Sequence, residues 1–284
     1  MMTKIFGLSI VVLLLASCNT NKNTKPVIPD GYKLFFEDNF DGDTLNELYW
    51  SYQIGDGTPN TGWGNNELEY YRQENVSVKD GKLYITAKRE SFGGYEFTSA
   101  RIRTTGKVFF KYGIVEARIS LPAEKAMWPA FWMLPEEWRY GGWPDSGEID
   151  IMEANGGSEY GTSCALHYSL TKGSDTYQTG YNNMKKRGEE PHSITEFHVY
   201  KLDWQEETIS FYVDENLILE IPSRSWSSGA VNKNDNPLAP FDQNFHILIN
   251  MAVGGNYVKN VEPEASFTSA DMVVDYVRVY TYDE

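Results

Sequence analysis

Apolar and polar residues alternate with a period of two along much of the chain beyond residue 30. The run VSVKDGKLYITAKR, residues 76–89, holds two such stretches around Asp80-Gly81, a dipeptide that favours a two-residue hairpin turn. The same period returns in IVEARISL (114–121), FHVYKLDW (197–204), TISFYVD (208–214) and VVDYVRVY (273–280). Gln205-Glu206-Glu207 serves as a further hairpin turn. NFHILINMAV, residues 244–253, is almost continuously apolar, as a central strand covered on both faces should be. No long segment repeats every 3.6 residues, and no internal repeat is visible. Segments 55–66, 135–147, 171–193 and 222–240 read as loops, long enough to carry function. The pattern predicts an all-β protein of two stacked antiparallel sheets, a sandwich or jelly roll.

The first residues follow another pattern. One positive charge, Lys4, precedes an apolar run from Ile5 to Ala16, too short to span a bilayer comfortably and suited to the core of an export signal. It ends Leu15-Ala16-Ser17-Cys18, which resembles a bacterial lipoprotein signal. That resemblance implies removal of residues 1–17 and lipidation of Cys18; a plain secretory signal cut nearby is the alternative. Residues 18–30 are Asn/Lys/Thr-rich with two prolines and read as a tether, leaving 31–284 as the folded domain. The protein is then exported and held at the cell envelope, at the outer membrane, with the lipid as its one membrane contact. Cys164 is the remaining cysteine and has no internal partner, so a large core must hold the domain together. Within CALHY it reads as a small buried hydrophobe.

The formal charge is -15, from 25 basic and 40 acidic residues. Such a chain repels polyanions, which excludes nucleic acid as a partner and disfavours highly sulfated polysaccharides. Aromatic residues make up 14% of the chain, with 8 Trp and 19 Tyr, more than a core alone needs and suited to stacking on a flat ligand. No assembly motif is visible, and the chain is expected to be a monomer.

The candidate chemistry lies in EIDIMEANGG, residues 148–157. In a strand, Glu148 and Asp150 share a face, and regular alternation sends Glu153 to the other. A β-bulge at Ile151-Met152 would insert one residue and return Glu153 to the acidic face. Carboxylates crowded on one face raise each other's proton affinity, so one can stay protonated while another is ionised. A retaining glycosidase needs that division, with its two carboxyl groups ~5–5.5 Å apart. Along the strand, Glu148 and Glu153 have Cα atoms roughly 13 Å apart, so bending and long side chains must close the gap. A calcium site or a solvated acidic edge would use the same residues.

GEIDIMEANG resembles the bulged signature Glu-x-Asp-x-x-Glu of glycoside hydrolase family 16. WPAFWMLP (128–135), GWGNNELEYY (62–71), FEDNFDG (36–42), ALHYS (165–169), NMAVGGNY (250–257) and DYVRVY (275–280) resemble further blocks of that family, in family order. The nearest likeness is to bacterial laminarinases and mixed-linkage β-glucanases. The resemblance implies a β-jelly roll with a concave cleft, a β-glucan substrate, and no cofactor for catalysis. It makes Glu148 the nucleophile, Glu153 the general acid/base and Asp150 the residue that tunes the nucleophile. It makes Trp128, Trp132 and Trp143 sugar platforms, though Trp132 sits in an apolar run that also suits a core. Asn65, Glu67 and Arg103 match positions on the non-reducing side of the cleft, with Arg101 competing for the arginine's place on the same strand face. His167 is either a substrate contact or a structural histidine, and Asn250 lines the cleft. GGNY stands where many laminarinases have GGNW, which bears on one aromatic wall. A structural calcium is implied at Glu37, the Gly81 carbonyl and Asp275. An agarase or carrageenase, a transglycosylase and a non-catalytic glucan-binding lipoprotein stay open as alternatives.

Overall fold

The computed structural model describes residues 26–184 and 192–283. The leader 1–17, Cys18 and the start of the tether lie outside the described residues. Among the described residues the strands are β1 (Tyr32–Asp38), β2 (Ser51–Gln53), β3 (Glu69–Tyr71), β4 (Val76–Lys79), β5 (Lys82–Phe92), β6 (Tyr95–Ser99), β7 (Arg101–Arg103), β8 (Phe109–Phe110) and β9 (Gly113–Ser120). They continue with β10 (Met127–Pro135), β11 (Glu148–Ala154), β12 (Gly161–Thr171), β13 (Ser174–Asn183), β14 (His198–Trp204), β15 (Thr208–Val213), β16 (Asn216–Pro222), β17 (Phe245–Val253) and β18 (Ser269–Tyr282).

These strands form two sheets. One runs β16-β15-β14-β9-β18-β5-β6-β3, with β1 on β18 and β4 on β5. The other runs β13-β12-β11-β10-β17-β7-β2, with β8 on β17. Pairing is antiparallel except between β3 and β6, which run parallel. The jelly-roll sandwich expected from the alternation is the fold. The Asp80-Gly81 hairpin forms with both residues at positive φ, 52° and 62°, the requirement that selects this dipeptide.

The core fills the space between the sheets. β17 is buried at every position, as its unbroken apolar run predicts. Phe131, Met133, Ile149, Leu166 and Ile249 on one sheet meet Val115, Leu202, Trp204 and Val277 on the other, all at most 1% exposed. Fully burying each such aliphatic or aromatic side chain is worth about 1.5–3 kcal/mol. Cys164 lies in this core, 3% exposed, where burial pushes its thiol up to about 12.

Segment 171–193 is not a loop throughout. Its residues 174–183 form β13, paired along its length with β12. β13 is an edge strand whose outward positions carry Asp, Tyr, Thr and Asn, so no apolar alternation announces it.

Candidate active site

The eight-stranded sheet carries the acids. On β11, Asp150 faces Trp132 of β10 while Glu153 faces Ala130, so three residues of β11 span two of β10. The opposite neighbour shows the same excess, with Asp150 against Ala165 and Glu153 against Ser163. The bulge expected at Ile151-Met152 is present, and both residues point into the core, 2% and 0% exposed. Glu148, Asp150 and Glu153 therefore share one face. Gly147 leads into this strand at φ 83°, and a Cβ there would meet the Phe241 ring at 2.8 Å. Only glycine starts the strand here without shifting Glu148.

That face is the floor of a cleft of about 370 Å³. Trp128, Trp132, Trp143, Asn65, Glu67 and Asn250 line it with the three acids, as expected, joined by Trp63, Arg101 and Trp138. Trp128 donates its indole N–H to Glu153 Oε1 at 2.8 Å and stacks on Tyr257, centroids 5.2 Å apart. The tyrosine of GGNY thus backs the indole beside the acid. Trp132 donates to Asn250 Oδ1 at 2.7 Å, so it is a wall residue rather than core. Asn250 donates to Tyr71 Oη at 3.1 Å, Tyr71 to Glu67 Oε2 at 2.9 Å, and Asn65 to Glu67 Oε1 at 3.2 Å. This chain of bonds fixes one end of the cleft. The loop bearing Asn65 and Glu67 is pinned to the end of β17 by the Glu67–Gly254 bridge and the Leu68 N–H to Val253 O bond, 2.9 Å.

The expected arginine is placed differently. Arg101 lines the cleft, its guanidinium 4.5 Å from the Trp63 ring and 4.8 Å from the Trp132 ring, held by Gln53 at 2.7 Å. Arg103 stands two residues on, half-buried and outside the cleft lining, where the charges of Arg101 and Glu136 act on it. Both share the strand face, Arg101 in the register row of Glu153 and Arg103 in that of Asp150, but only Arg101 lines the cleft. His167 lies opposite Glu148 across the β11–β12 ladder. Its Nε2 is 3.4 Å from Asp150 Oδ2 and its Nδ1 3.0 Å from Asp175 Oδ1, so it braces the acid row from the side. The tryptophans on 135–147 depend on Asp145, which is buried and accepts from Ser169 Oγ at 2.6 Å and Gly173 N at 2.8 Å. Trp63, Trp138 and Arg101 were missing from the expected set or second to Arg103, because loop geometry and strand ends decide them.

Burial is the largest cause that raises the proton affinity of all three acids. Glu148 is lifted to about 8, with further repulsion from Glu153, against the pull of Arg101 and a hydrogen bond from Trp143. Glu153 is lifted to about 7, opposed by the Trp128 bond. Asp150 rises well above its ordinary value, with Glu148 and Glu153 adding repulsion. Its Oδ2 is buried without a well-aligned hydrogen-bond partner, despite the nearby His167. Glu148 and Glu153 titrate as a coupled pair, so proton sharing belongs to the pair. Burial and the Glu153 charge outweigh the pull of Arg101 and leave Glu148 the higher of the two, so the division of roles rests on each acid's place in the signature, with Arg101 the one charge that favours ionised Glu148.

The positions expected to hold calcium lie on β18 and on two elements beside it, Asp275 on β18, Glu37 on β1 and Gly81 in the turn before β5. β1 and β5 pair with successive stretches of the same edge of β18, Glu37 opposite Arg278 and Leu83 opposite Val274. Glu37 accepts from Arg278 Nε at 2.8 Å, and Asp275 from Arg118 at 2.8 Å. The donor set is all oxygen, which suits calcium, with one oxygen of each carboxylate already shared with an arginine.

Residues 64–255 match the family model "Glycosyl hydrolases family 16". The chain belongs to this family. It is 40% identical over 264 residues to a β-glucanase of Rhodothermus marinus, covering 89% of this chain and 86% of that one. It is 38% identical over 280 residues to glucan endo-1,3-β-glucosidase A1 of Niallia circulans, covering 90% of this chain but 39% of that longer protein. The solved endo-β-1,3-glucanase of Pyrococcus furiosus superposes with a TM-score of 0.77 at 34% identity, covering 91% of this chain and 98% of that one. The glycosidase reading of the bulged acid strand and the jelly-roll fold both agree with this placement.

Proposed function

We propose that the protein is a retaining endo-glycosidase that hydrolyses β-1,3- or mixed β-1,3/1,4-glucans. The observation that carries this is the pair Glu148 and Glu153 on one face of a bulged strand, at the floor of a tryptophan-walled cleft. Glu148, ionised beside Arg101, attacks the anomeric carbon. Glu153 gives its proton to the departing glycosidic oxygen. Glu153 then takes a proton from water as the oxygen of that water replaces Glu148 on the anomeric carbon. Asp150, buried between them with its proton affinity raised by burial, stands beside Glu148 and tunes its charge. The indoles of Trp128, Trp132 and Trp143 pack against glucose C–H faces. The network of Asn65, Glu67 and Asn250, with Arg101, binds sugar hydroxyls on one side of the scissile bond.

Digestion of laminarin, barley mixed-linkage glucan and a soluble β-1,4-cellulose derivative, with products sized over time, tests this reading. Short oligosaccharides from either of the first two support it. Binding without cleavage would move a lectin-like role to the front. Two further readings accompany this one. Cys18 carries lipid and tethers the domain to the cell envelope; labelled fatty acid should enter the protein and be lost in Cys18→Ala. A calcium ion held by Glu37, the Gly81 carbonyl and Asp275 would tie β1, the β4–β5 turn and β18 together, a structural role remote from the chemistry.

A further inference from the structure

The cleft sheet continues two strands beyond the acids, and its outermost strand carries two exposed tyrosines that the catalytic reading does not use. Tyr177 and Tyr181 on β13 are 59% and 62% exposed. The ladder register carries Glu148 through His167 to Tyr177, and Glu153 through Ser163 to Tyr181. Each tyrosine thus stands in the row of one catalytic glutamate, two strand spacings away, about 10 Å.

Both rings are held in place. Tyr177 stacks on His167, centroids 5.2 Å apart and planes at 29°, and His167 is fixed by Asp175 and lies 6.0 Å from Trp143. Trp143, His167 and Tyr177 form a continuous run of rings leading out from the acids. Tyr181 lies over Gly161, where an added Cβ would sit 2.0 Å from its hydroxyl. The bare glycine makes room for the ring at the sheet surface. Two large exposed aromatics on one edge strand, in the register rows of the two acids, offer flat ring faces to a ligand that also reaches the acids.

We propose that Tyr177 and Tyr181 form a binding platform for the glucosyl units on the leaving-group side of the scissile bond, one that also receives acceptor sugars. The proposal rests on the glycosidase reading and adds to it two named residues at the end of the sheet opposite Asn65 and Glu67. The opposite end of the cleft is the hydrogen-bonded wall of Asn65, Glu67 and Asn250, suited to retaining the glycosyl unit while it is covalently attached to Glu148. The arm that departs between the two steps needs a surface that releases it, and an open stacking platform does so more readily than a buried polar network.

Three measurements test this on Tyr177→Ala/Tyr181→Ala and on the corresponding Phe pair. KM for a long β-glucan should rise on the order of tenfold in the Ala pair and stay near wild type in the Phe pair, because the ring rather than the hydroxyl carries the contact. An aryl β-oligoglucoside, whose sugars lie on the retained side alone, should be hydrolysed as by wild type. Glucan affinity, measured by calorimetry in a Glu148→Ala background, should fall in parallel with the polymer kinetics. Unchanged affinity and polymer KM in the Ala pair would overturn the platform, as would an equal loss on the aryl substrate. If the wild type cleaves no glucan, the activity reading fails by itself, and the affinity measurement still decides the platform.

Discussion

At Glu148 and Glu153 the chemistry depends on two carboxyl groups holding one proton. Burial lifts both above 4.5, and the Glu153 charge adds to the rise at Glu148, so the acid limb of activity, where the second proton returns, and the alkaline limb, where the last is lost, both shift upward. Glu153→Gln should lower kcat/KM on glucan by roughly 10²–10⁴ while sparing kcat/KM for substrates with a phenolate leaving group, whose first step needs no proton, and Glu148→Ala should abolish both. Steady-state kinetics on the two substrates check this; equal losses in Glu153→Gln would remove it from the acid role. A second buried acid, Glu69, is 0% exposed and accepts the Val253 N–H at 2.6 Å beside Glu67. Burial first, then the Glu67 charge, raises its proton affinity well above 4.5. The folded state then keeps a proton that the unfolded chain loses above about pH 4.5, so this group's contribution to stability declines as pH rises toward its folded value. Glu69→Gln should therefore gain stability over wild type as pH increases from 4.5 to 8, read from urea midpoints; a constant difference would contradict it. The three acids and Trp128, Trp132 and Trp143 were legible in the sequence because their spacing and their neighbours are local, whereas Trp63 and Trp138 depend on how their loops fold back over the sheet. Arg101 was not separable from Arg103, because alternation puts both on one face and the point where β7 ends is set by tertiary packing.

At the scale of elements, the bulge decides the site. Measured on β10, Glu153 sits two residues from Asp150, the step a regular strand would give. The extra residue is spent inward, on Ile151 in the core. Deleting Ile151 should keep all three acids on the cleft face and cost about 2–5 kcal/mol of stability, the scale of removing a buried aliphatic side chain. Inserting one alanine after Met152 instead puts Glu153 four positions from Asp150, on the cleft face by plain alternation but roughly 7 Å farther along the strand from Glu148, and should end activity. Denaturant titration and glucan hydrolysis of the two variants separate the outcomes; loss of all activity in a folded deletion variant would contradict this account of the bulge. Strands with one clean apolar face, such as β9, β14 and β18, could be read from alternation. β13 could not, because its Thr, Tyr, Gly and Asn positions satisfy an edge exposed on one face, and its evidence lies in the β12 partner rather than in its own sequence.

For the whole molecule, the sandwich provides a rigid floor, and long connections supply the walls. One register row crosses seven strands from Gln53 through Asn250 and Glu153 to Tyr181, and the cleft lies along its middle, an orientation that suits internal cleavage of a long chain. Holding such a sheet without a disulfide falls to the core and to seams such as the Glu37–Asp275 end of β18. If calcium occupies that seam, removal by EDTA should lower the melting temperature, calcium should restore it, and Glu37→Gln/Asp275→Asn should abolish the difference while leaving turnover at low temperature intact. An EDTA-insensitive melt in calcium-loaded protein would leave the seam to its two arginine pairs. The measurement closest to the central claim is the anomeric configuration of the first products, followed by proton NMR during digestion of whichever β-glucan is cleaved. A glycosyl-enzyme on Glu148 predicts that the β-anomer forms first and the α-anomer grows in only by mutarotation. Initial release of the α-anomer would contradict the two-carboxylate, double-displacement account.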